Sequence, residues 1–310
     1  MFAMVGSVKT PQEFPGTLRD FAGRRFSSQE LALVREVVAD CGGLSRRELA
    51  QTVCELVDWR RPNGSLKGLE CRLWLEELAS CGWLELPDKR KRRPVGRGAT
   101  VPVSERGAPG VALCGMVQEF APVVLEAVAT PGEQALFREL VGRYHVLGSR
   151  QPYGAQLRYL VRVSLPQPQV VGCVQFSSPA WRLSVRDRWI GWDEPTRLRN
   201  LQRVVNNSRF LILPWVRVKN LASHVLSQAV RRLSVDWPAR YGHQPLLVET
   251  LVDRQRFQGT CYRAANWQEL GSTSGRGRMD REHRRHGLAV KTVLVYDLVR
   301  EAARRLRESC

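Results

Sequence analysis

The sequence lacks the motifs that mark several common kinds of site and cellular location. Its eight cysteines form no Cys-x-x-Cys pair and none has a neighbouring histidine, so neither a zinc site nor a disulfide framework is expected. No apolar run reaches the length of a membrane span, and residues 1–15 have neither the basic start nor the apolar core of a signal peptide. No local Ser-His-Asp or Cys-His signature is present either. We therefore expect a cytoplasmic protein with reduced thiols, no bound metal and no membrane partner.

Negative charge is also scarce. The 310 residues include 48 Lys and Arg against 30 Asp and Glu, which gives a net charge of +18 and a pI near 10.4. Residues 1–87 carry 11 basic against 12 acidic residues, residues 88–107 carry 7 against 2, and residues 108–310 carry 30 against 16. Such an excess is typical of contact with a polyanion. We expect nucleic acid, and DNA in particular, to bind residues 88–310.

Helix, strand and loop signals divide the chain into four segments. Residues 1–27 are expected to be an N-terminal arm, and residues 28–93 a small domain of three helices. Residues 94–111 are basic and rich in Gly and Pro, which is typical of a linker. Residues 112–310 mix apolar strands with helices and predict an α/β (α+β) fold with a central mixed sheet and flanking helices. The strands are predicted at residues 157–163, 170–176, 209–213, 246–253 and 290–298, and the helices at 133–144, 222–233, 260–267 and 300–307.

The small domain resembles a winged helix-turn-helix, because a short strand at residues 83–86 and a basic run follow its three helices. In that arrangement the third helix would offer Lys67 and Arg72 to the major groove of DNA. Glu70, Glu76 and Glu77 share this helix, so a winged-helix shape used for protein contacts is the alternative. The basic run would hold phosphates, and it consists of Lys89, Arg90, Lys91, Arg92 and Arg93.

Two segments of the large domain combine arginine with tryptophan or glycine. Residues 180–201 interleave three tryptophans with arginines, and we predict that Arg186 and Trp189 contact nucleic acid by phosphate binding and base stacking. The alternative is that these tryptophans are core residues. Residues 272–287 are predicted to form a basic loop, in which Arg276 and Arg278 lie over phosphates.

A family motif lies between the strand at 209–213 and the following helix. The segment Arg217-Val218-Lys219-Asn220-Leu221-Ala222 resembles the Arg/Gln-x-x-Gly-x-Gly/Ala turn of the GNAT acyltransferase superfamily, with Asn220 at the position of the middle Gly. The resemblance implies a GNAT fold for the large domain and acyl-CoA as a cofactor. The pyrophosphate would bind at the start of the helix, where free amides attract anions, next to Arg217, Lys219, Asn220 and Ala222. An ordinary strand-to-helix turn with surface cations is the alternative.

The same resemblance implies a catalytic site where the central strand and the next strand splay apart. Glu249 would deprotonate an amine nucleophile and Tyr262 would return a proton to the leaving thiolate. Asn207 and Asn266 would approach the same point. Alternatively, Tyr262 only packs between strands and Glu249 pairs with an arginine. A metal-dependent nuclease or transposase site is a further alternative, for which the available carboxylates are Asp187, Asp236, Glu249 and Asp253.

A second resemblance covers about residues 130 to 280. Its motifs include Arg143-Tyr144-His145-Val146-Leu147-Gly148, Phe176-Ser177-Ser178-Pro179-Ala180-Trp181 and Arg186-Asp187-Arg188-Trp189-Ile190-Gly191-Trp192. They are similar to the family that includes the A protein of the Druantia anti-phage system. The resemblance implies a role in phage defence or in a mobile element, with other proteins of the same locus as partners. We expect a DNA-directed component of such a system; an acyltransferase-like or DNA-cutting enzyme is the alternative.

Overall fold

A computed structural model describes residues 16–40, 46–62, 66–87, 103–149, 154–273, 278–279, 285–286 and 289–308. The chain divides into two compact units, Met1–Pro94 and Val95–Cys310. In these described ranges, no helix combines the length and the apolar character needed to cross a membrane.

The smaller unit is built on three helices. A short ribbon of β1 (Asp20–Phe21) and β2 (Arg24–Arg25) precedes α1 (Ser28–Asp40), α2 (Arg46–Leu56) and α3 (Gly68–Ser80). These three helices agree with the number that the sequence predicts for this segment.

Stacked aromatic rings form the centre of this unit. Phe26 stacks on Trp74 with ring centroids 4.0 Å apart, and Trp59 meets both rings edge-on. The indole of Trp74 donates a hydrogen bond to the carbonyl of Leu18. Residues 16–27, which we expected to belong to a loose arm, are therefore packed onto the helical core.

The third helix differs from the DNA-reading helix that the sequence predicts. Lys67 precedes α3 and its Nζ donates to the carbonyl of Ala22 at 3.3 Å, while Arg72 is half-buried. The most exposed apolar side chains of α3 are Leu69 and Leu73, at 57% and 44% exposure. Its outward surface is therefore apolar and acidic rather than basic.

The described residues do not form the strand that was expected to begin the wing. Residues 83–86 form no strand, because the chain turns at the end of α3 and buries Trp83 and Leu84 instead. The basic run at residues 89–93 lies outside the described residues.

The elements of the larger unit follow in chain order. They are β3 (Leu113–Met116), β4 (Val123–Ala127), α4 (Pro131–Tyr144), β5 (Gln156–Val163), β6 (Gln169–Ser177), α5 (Ser184–Ile190), α6 (Glu194–Asn200), β7 (Val204–Ile212), β8 (Val216–Lys219), α7 (Leu221–Tyr241), β9 (Leu247–Asp253), α8 (Thr260–Ala264), β10 (Gln268–Ser272), β11 (Arg278–Met279), β12 (Arg285–His286), β13 (Lys291–Asp297) and α9 (Ala302–Arg307).

A mixed sheet of seven strands organises the described part of this unit. The strand order is β10-β13-β9-β7-β6-β5-β4, and β3 pairs separately with β8. All neighbours in the large sheet are antiparallel except β7 and β9, which are parallel. The mixed sheet with flanking helices confirms the predicted fold class.

Helices cover both faces of this sheet. Side chains alternate along a strand, so neighbouring residues of β5 mark opposite faces. The guanidinium of Arg158 lies over the ring of Phe137 in α4, whereas the hydroxyl of Tyr159 donates to Asp236 of α7 at 2.9 Å. We call these the α4 face and the α7 face.

Short helices from two parts of the chain pack at the β9 and β13 end of the sheet. Ile190 of α5 and Leu306 of α9 share a buried cluster with Leu247 and Val295. The side chain of Asn200 in α6 donates to the carbonyl of Leu306 at 2.8 Å, which ties α6 to α9. Residues 180–201, predicted only as an aromatic and basic insertion, thus form two helices that close the core.

Candidate functional site

The central parallel pair of strands separates after three residue pairs. Val204, Val205 and Asn206 of β7 pair with Leu247, Val248 and Glu249 of β9. Beyond Asn206 and Glu249 both strands continue without pairing to each other. An opening therefore begins at this point, as the GNAT resemblance implies.

Tyr262 and Asn207 meet across this opening on the α7 face. The Tyr262 hydroxyl donates to Oδ1 of Asn207 at 2.7 Å, and the Asn207 amide donates to the carbonyl of Gln175 at 3.1 Å. Thr250 of β9 donates to the carbonyl of Asn207 at 3.1 Å. Burial raises the pKa of Tyr262 above its ordinary range, so the phenol stays protonated. Its proton is used in a hydrogen bond that links α8 to β7.

Glu249 lies on the opposite face of the sheet and is fully buried in an ion pair with Arg186. Its Oε2 accepts from Nη1 of Arg186 at 2.8 Å, and its Oε1 accepts from the amide of Ala180 at 2.9 Å. Nε and Nη2 of Arg186 donate to Oδ1 of Asp187 at 2.9 and 2.7 Å. Burial alone would lower the pKa of Arg186, but the carboxylates of Glu249 and Asp187 raise it, so the guanidinium stays charged.

Two predicted roles are therefore wrong. Glu249 is not placed as a base beside Tyr262, because both of its oxygens accept hydrogen bonds on the other face. Arg186 is not placed to contact nucleic acid, because its side chain is completely buried. The alternative that Glu249 pairs with an arginine is confirmed.

Two further site residues lie elsewhere than predicted. Asn266 is exposed in the turn after α8, where a φ of 62° suits an asparagine, and it does not join Asn207 and Tyr262. Trp189 is half-buried and packs, with Trp192, against the cluster of α5, α9 and the sheet. The alternative of tryptophan as a core residue applies to both of these rings.

The strand-to-helix turn predicted at residues 217–222 consists of Asn220 alone, because β8 ends at Lys219 and α7 begins at Leu221. Arg217 and Lys219 belong to β8, which pairs in parallel with β3, and both side chains are exposed. Asn220 adopts left-handed geometry, with φ 64°, and its side chain does not cap α7. The amides of Leu221, Ala222 and Ser223 therefore open the helix without a side-chain acceptor from Asn220.

These residues fit part of an acyl-CoA molecule. The uncapped start of α7, beside Arg217 and Lys219, suits a pyrophosphate. The strand opening is less suited to the rest of the molecule, because the Tyr262 ring crosses it to reach Asn207 and packs edge-on against Phe210 at 5.9 Å. The start of α7 therefore offers uncapped amides and cations, and the Tyr262 side chain fills the strand opening.

The carboxylates considered for a nuclease are divided between the two faces of the sheet, and each contacts another side chain. Asp236 accepts from Tyr159 and Arg232 on the α7 face, and Asp187 pairs with Arg186 beside Glu249. In the described part of the chain, no three His, Cys, Asp or Glu side chains lie close enough to hold a metal ion. This arrangement does not favour the nuclease alternative.

One aromatic residue that the sequence analysis did not select is exposed. Trp181 directly follows Ala180 at the entry to the insertion and is 42% exposed. Its guanidinium neighbour is Arg197, 5.3 Å from the ring centroid. The Trp-Arg pair that follows Pro179 was the available signal for Trp181.

Among the basic-loop residues, Arg276 lies outside the described residues and Arg278 stands in the two-residue strand β11.

The strand order, the single parallel pair that separates and the helix that starts beside it define the class. The larger unit has a GNAT-like α/β fold, as the first resemblance implied. Within this class, the chain belongs to the family described as Druantia protein DruA, whose model matches residues 80–287. Membership implies a role in defence against phage, and it confirms the second resemblance.

Solved structures similar to the chain include spermidine N-acetyltransferase from Vibrio cholerae. In its complex with CoA and spermine the identity is 12% and the TM-score 0.35, covering 57% of this chain and 95% of that chain. A dodecameric structure of the same enzyme in an intermediate state shows 10% identity and a TM-score of 0.37, covering 57% and 94%. A search of curated proteins found no match.

Proposed function

We propose that this protein acts in phage defence as a component that binds nucleic acid, with DNA as the expected partner. The observation that carries the proposal is the surplus of positive charge in residues 108–310, with 30 basic against 16 acidic residues. Within the described residues, exposed arginines that contact no carboxylate include Arg188, Arg300, Arg305 and Arg307.

A binding role agrees better than catalysis with the centre of the sheet. Glu249 and Tyr262 would have to exchange protons with a substrate, yet each is buried and hydrogen-bonded on a different face. Unneutralised surface arginines need no such rearrangement to bind phosphates. Other proteins of the same defence locus are the protein partners that this role would require.

The test is the salt dependence of binding by the full chain. A fluorescent oligonucleotide is titrated with protein at several salt concentrations. Because each phosphate contact releases about 0.9 counterion, six contacts would weaken binding by about a thousandfold or more between 50 and 200 mM salt. Absence of salt-dependent binding to both DNA and RNA would overturn the proposal.

Acyl-donor binding is the second candidate, and the left-handed Asn220 favours it. A φ of 64° lets the chain turn into α7 as a glycine would, which leaves the first amides of the helix open. If a CoA thioester binds there, millimolar acetyl-CoA should raise the melting temperature. Arg217→Ala should reduce this shift, while Arg231→Ala, on the exposed surface of α7, should not. Equal shifts in both variants would contradict the candidate.

A further inference from the structure

We propose that the outer surface of α5 and its flanking residues binds single-stranded nucleic acid. In this arrangement, Trp181 stacks on an unpaired base and Arg188 contacts the sugar-phosphate backbone beside it. The inference rests on the proposed function and adds to it the surface and the class of nucleic acid.

Trp181 forms a rigid aromatic platform. Its ring lies over the guanidinium of Arg197, and that side chain is only 3% exposed. Arg197 is held by Glu194 through two hydrogen bonds, Nη2 to Oε1 at 2.6 Å and Nε to Oε2 at 3.1 Å, and also donates to the carbonyl of Trp181. The ring is thus supported from the protein side while 42% of the residue faces solvent. Such a supported ring can stack on a base with little loss of side-chain entropy.

Trp181 differs from the other two tryptophans of the insertion because its ring does not pack into the core. Trp189 and Trp192 pack against the buried cluster of α5 and α9, and the indole of Trp192 donates to Asp187 at 3.2 Å. Their rings serve the core. Trp181 is the large hydrophobic residue that residues 180–201 leave exposed in the described structure.

Cations border α5 at both ends. Arg188 is exposed, and its Nε donates to the carbonyl of Ser184 at 3.3 Å, so its side chain runs back towards the Trp181 end of the helix. At the other end, Cδ of Arg307 lies 3.6 Å from the position that a Cβ on Gly191 would occupy. Neither guanidinium contacts a carboxylate in the described residues. A single strand that lies across α5 would therefore have the guanidinium groups of Arg188 and Arg307 available to its phosphates.

The exposed ring favours a single strand over a duplex. In a duplex both faces of a base are covered by its neighbours, whereas a single strand can turn its bases out onto an aromatic side chain. Stacking and phosphate contact together distinguish this surface from one that only attracts polyanions.

The experiment measures binding of a fluorescent 20-nucleotide single strand and of a duplex of the same length to the full chain. Trp181→Ala should weaken single-strand binding by roughly 5-fold to 100-fold, and Trp181→Phe, which keeps an aromatic face, should restore most of it. Arg188→Ala should lower the salt slope by about 0.7. The control is Arg231→Ala, because this exposed arginine also donates to the carbonyl four residues earlier, Ser227, but lies on α7.

The outcomes separate this inference from the proposed function. If the parent binds but the Trp181 and Arg188 variants behave like Arg231→Ala, the surface is wrong and the proposed function stands. If duplex binding falls as much as single-strand binding, the preference for a single strand is overturned. If the parent binds neither, both proposals fail. Should Trp181→Ala lose its fold by circular dichroism, Trp181→Leu takes its place, because leucine has no aromatic face. Normal binding by Trp181→Leu, with a loss in Arg188→Ala alone, would reject stacking.

Discussion

The hydroxyl of Tyr262 and the amide of Asn207 connect α8 to β7 beside the point where β7 and β9 separate. The phenol donates its proton to Oδ1 of Asn207, and the Asn207 amide in turn donates to the backbone of β6. Polar groups in a buried opening are costly unless they are paired, and here each finds a partner. The two side chains that the sequence predicts to approach the strand opening thus form a hydrogen-bonded bridge in the fold.

Replacing this hydroxyl should cost stability. We expect Tyr262→Phe to lower the free energy of unfolding by about 1 kcal/mol, because Oδ1 of Asn207 loses its donor while buried. Denaturant titration measures the change. Tyr296→Phe is the control, since Tyr296 is half-buried and packs against Trp267 without a hydroxyl contact of this kind among the described residues. A stability equal to that of the control would contradict the bridging role.

In the smaller unit, the carboxyl group of Glu55 in α2 is almost completely removed from water. Burial raises its pKa from the ordinary 4.5 to about 7, although the charge of Arg60 lowers it slightly. Below pH 4.5 the group is protonated in both the folded and the unfolded chain, so it does not reduce stability. As the pH rises from 4.5 to 7, the unfolded chain releases this proton first, and folding becomes less favourable.

We therefore expect Glu55→Gln to remove this pH dependence. The variant should gain up to about 3 kcal/mol of unfolding free energy relative to the parent above pH 7, and little at pH 4.5. Unfolding of both proteins at several pH values measures the difference. A constant difference across the range would show that Glu55 titrates normally in the folded protein.

At the scale of elements, the ion pair of Arg186 and Glu249 attaches α5 to the sheet. Both side chains are fully buried, and the carbonyl and amide of Ala180 complete their hydrogen bonds. A buried pair of this kind adds little net stability compared with apolar residues, but loss of one partner leaves a buried charge. The insertion is therefore held in register by a contact that tolerates no single change.

We expect Arg186→Met to destabilise the larger unit by about 3–5 kcal/mol, because Glu249 is left without its cation. The double variant Arg186→Met with Glu249→Leu should recover most of this loss, since no unpaired charge remains. A double-mutant cycle by thermal or denaturant unfolding measures the coupling. Additive effects of the two substitutions would contradict the direct pairing.

How much the sequence predicted also depends on the element. Long apolar strands such as β6 and β9 and the start of α7 were placed within a few residues, because their periodicity spans several positions. The four-residue strands β3 and β8 show no such pattern, so neither is among the predicted strands. The order of strands along the sequence does not show which face of the sheet a given side chain occupies. That is why Glu249 and Tyr262, close in the predicted order, lie on opposite sides of the sheet.

At the scale of the whole molecule, the surplus of positive charge lies after residue 87. Residues 88–310 hold 37 of the 48 basic residues, whereas residues 1–87 are close to neutral. In the smaller unit, the exposed side of α3 carries Leu69 and Leu73 rather than cations. Electrostatic attraction of a polyanion therefore depends on the larger unit and on the residues that precede it.

Removing residues 1–87 should leave this attraction intact. We expect residues 88–310 to bind nucleic acid with a salt slope close to that of the full chain, because nearly all of the surplus charge is retained. Selectivity among sequences or structures should fall more than affinity. Titrations with several oligonucleotides compare the two proteins, after circular dichroism has shown that the fragment is folded. A large loss of salt-dependent affinity would mean that the smaller unit supplies the main contacts.

The buried pair of Arg186 and Glu249 has a consequence for how these two positions evolve. The two codons lie 63 positions apart, yet a mutation that neutralises either one leaves a protein with an unpaired charge in its core. The intermediate genotype is penalised in both directions, so the charges should be inherited together or lost together. Among related defence genes, position 186 should carry a cation where position 249 carries an anion, and both positions should be apolar in lineages that have abandoned the pair.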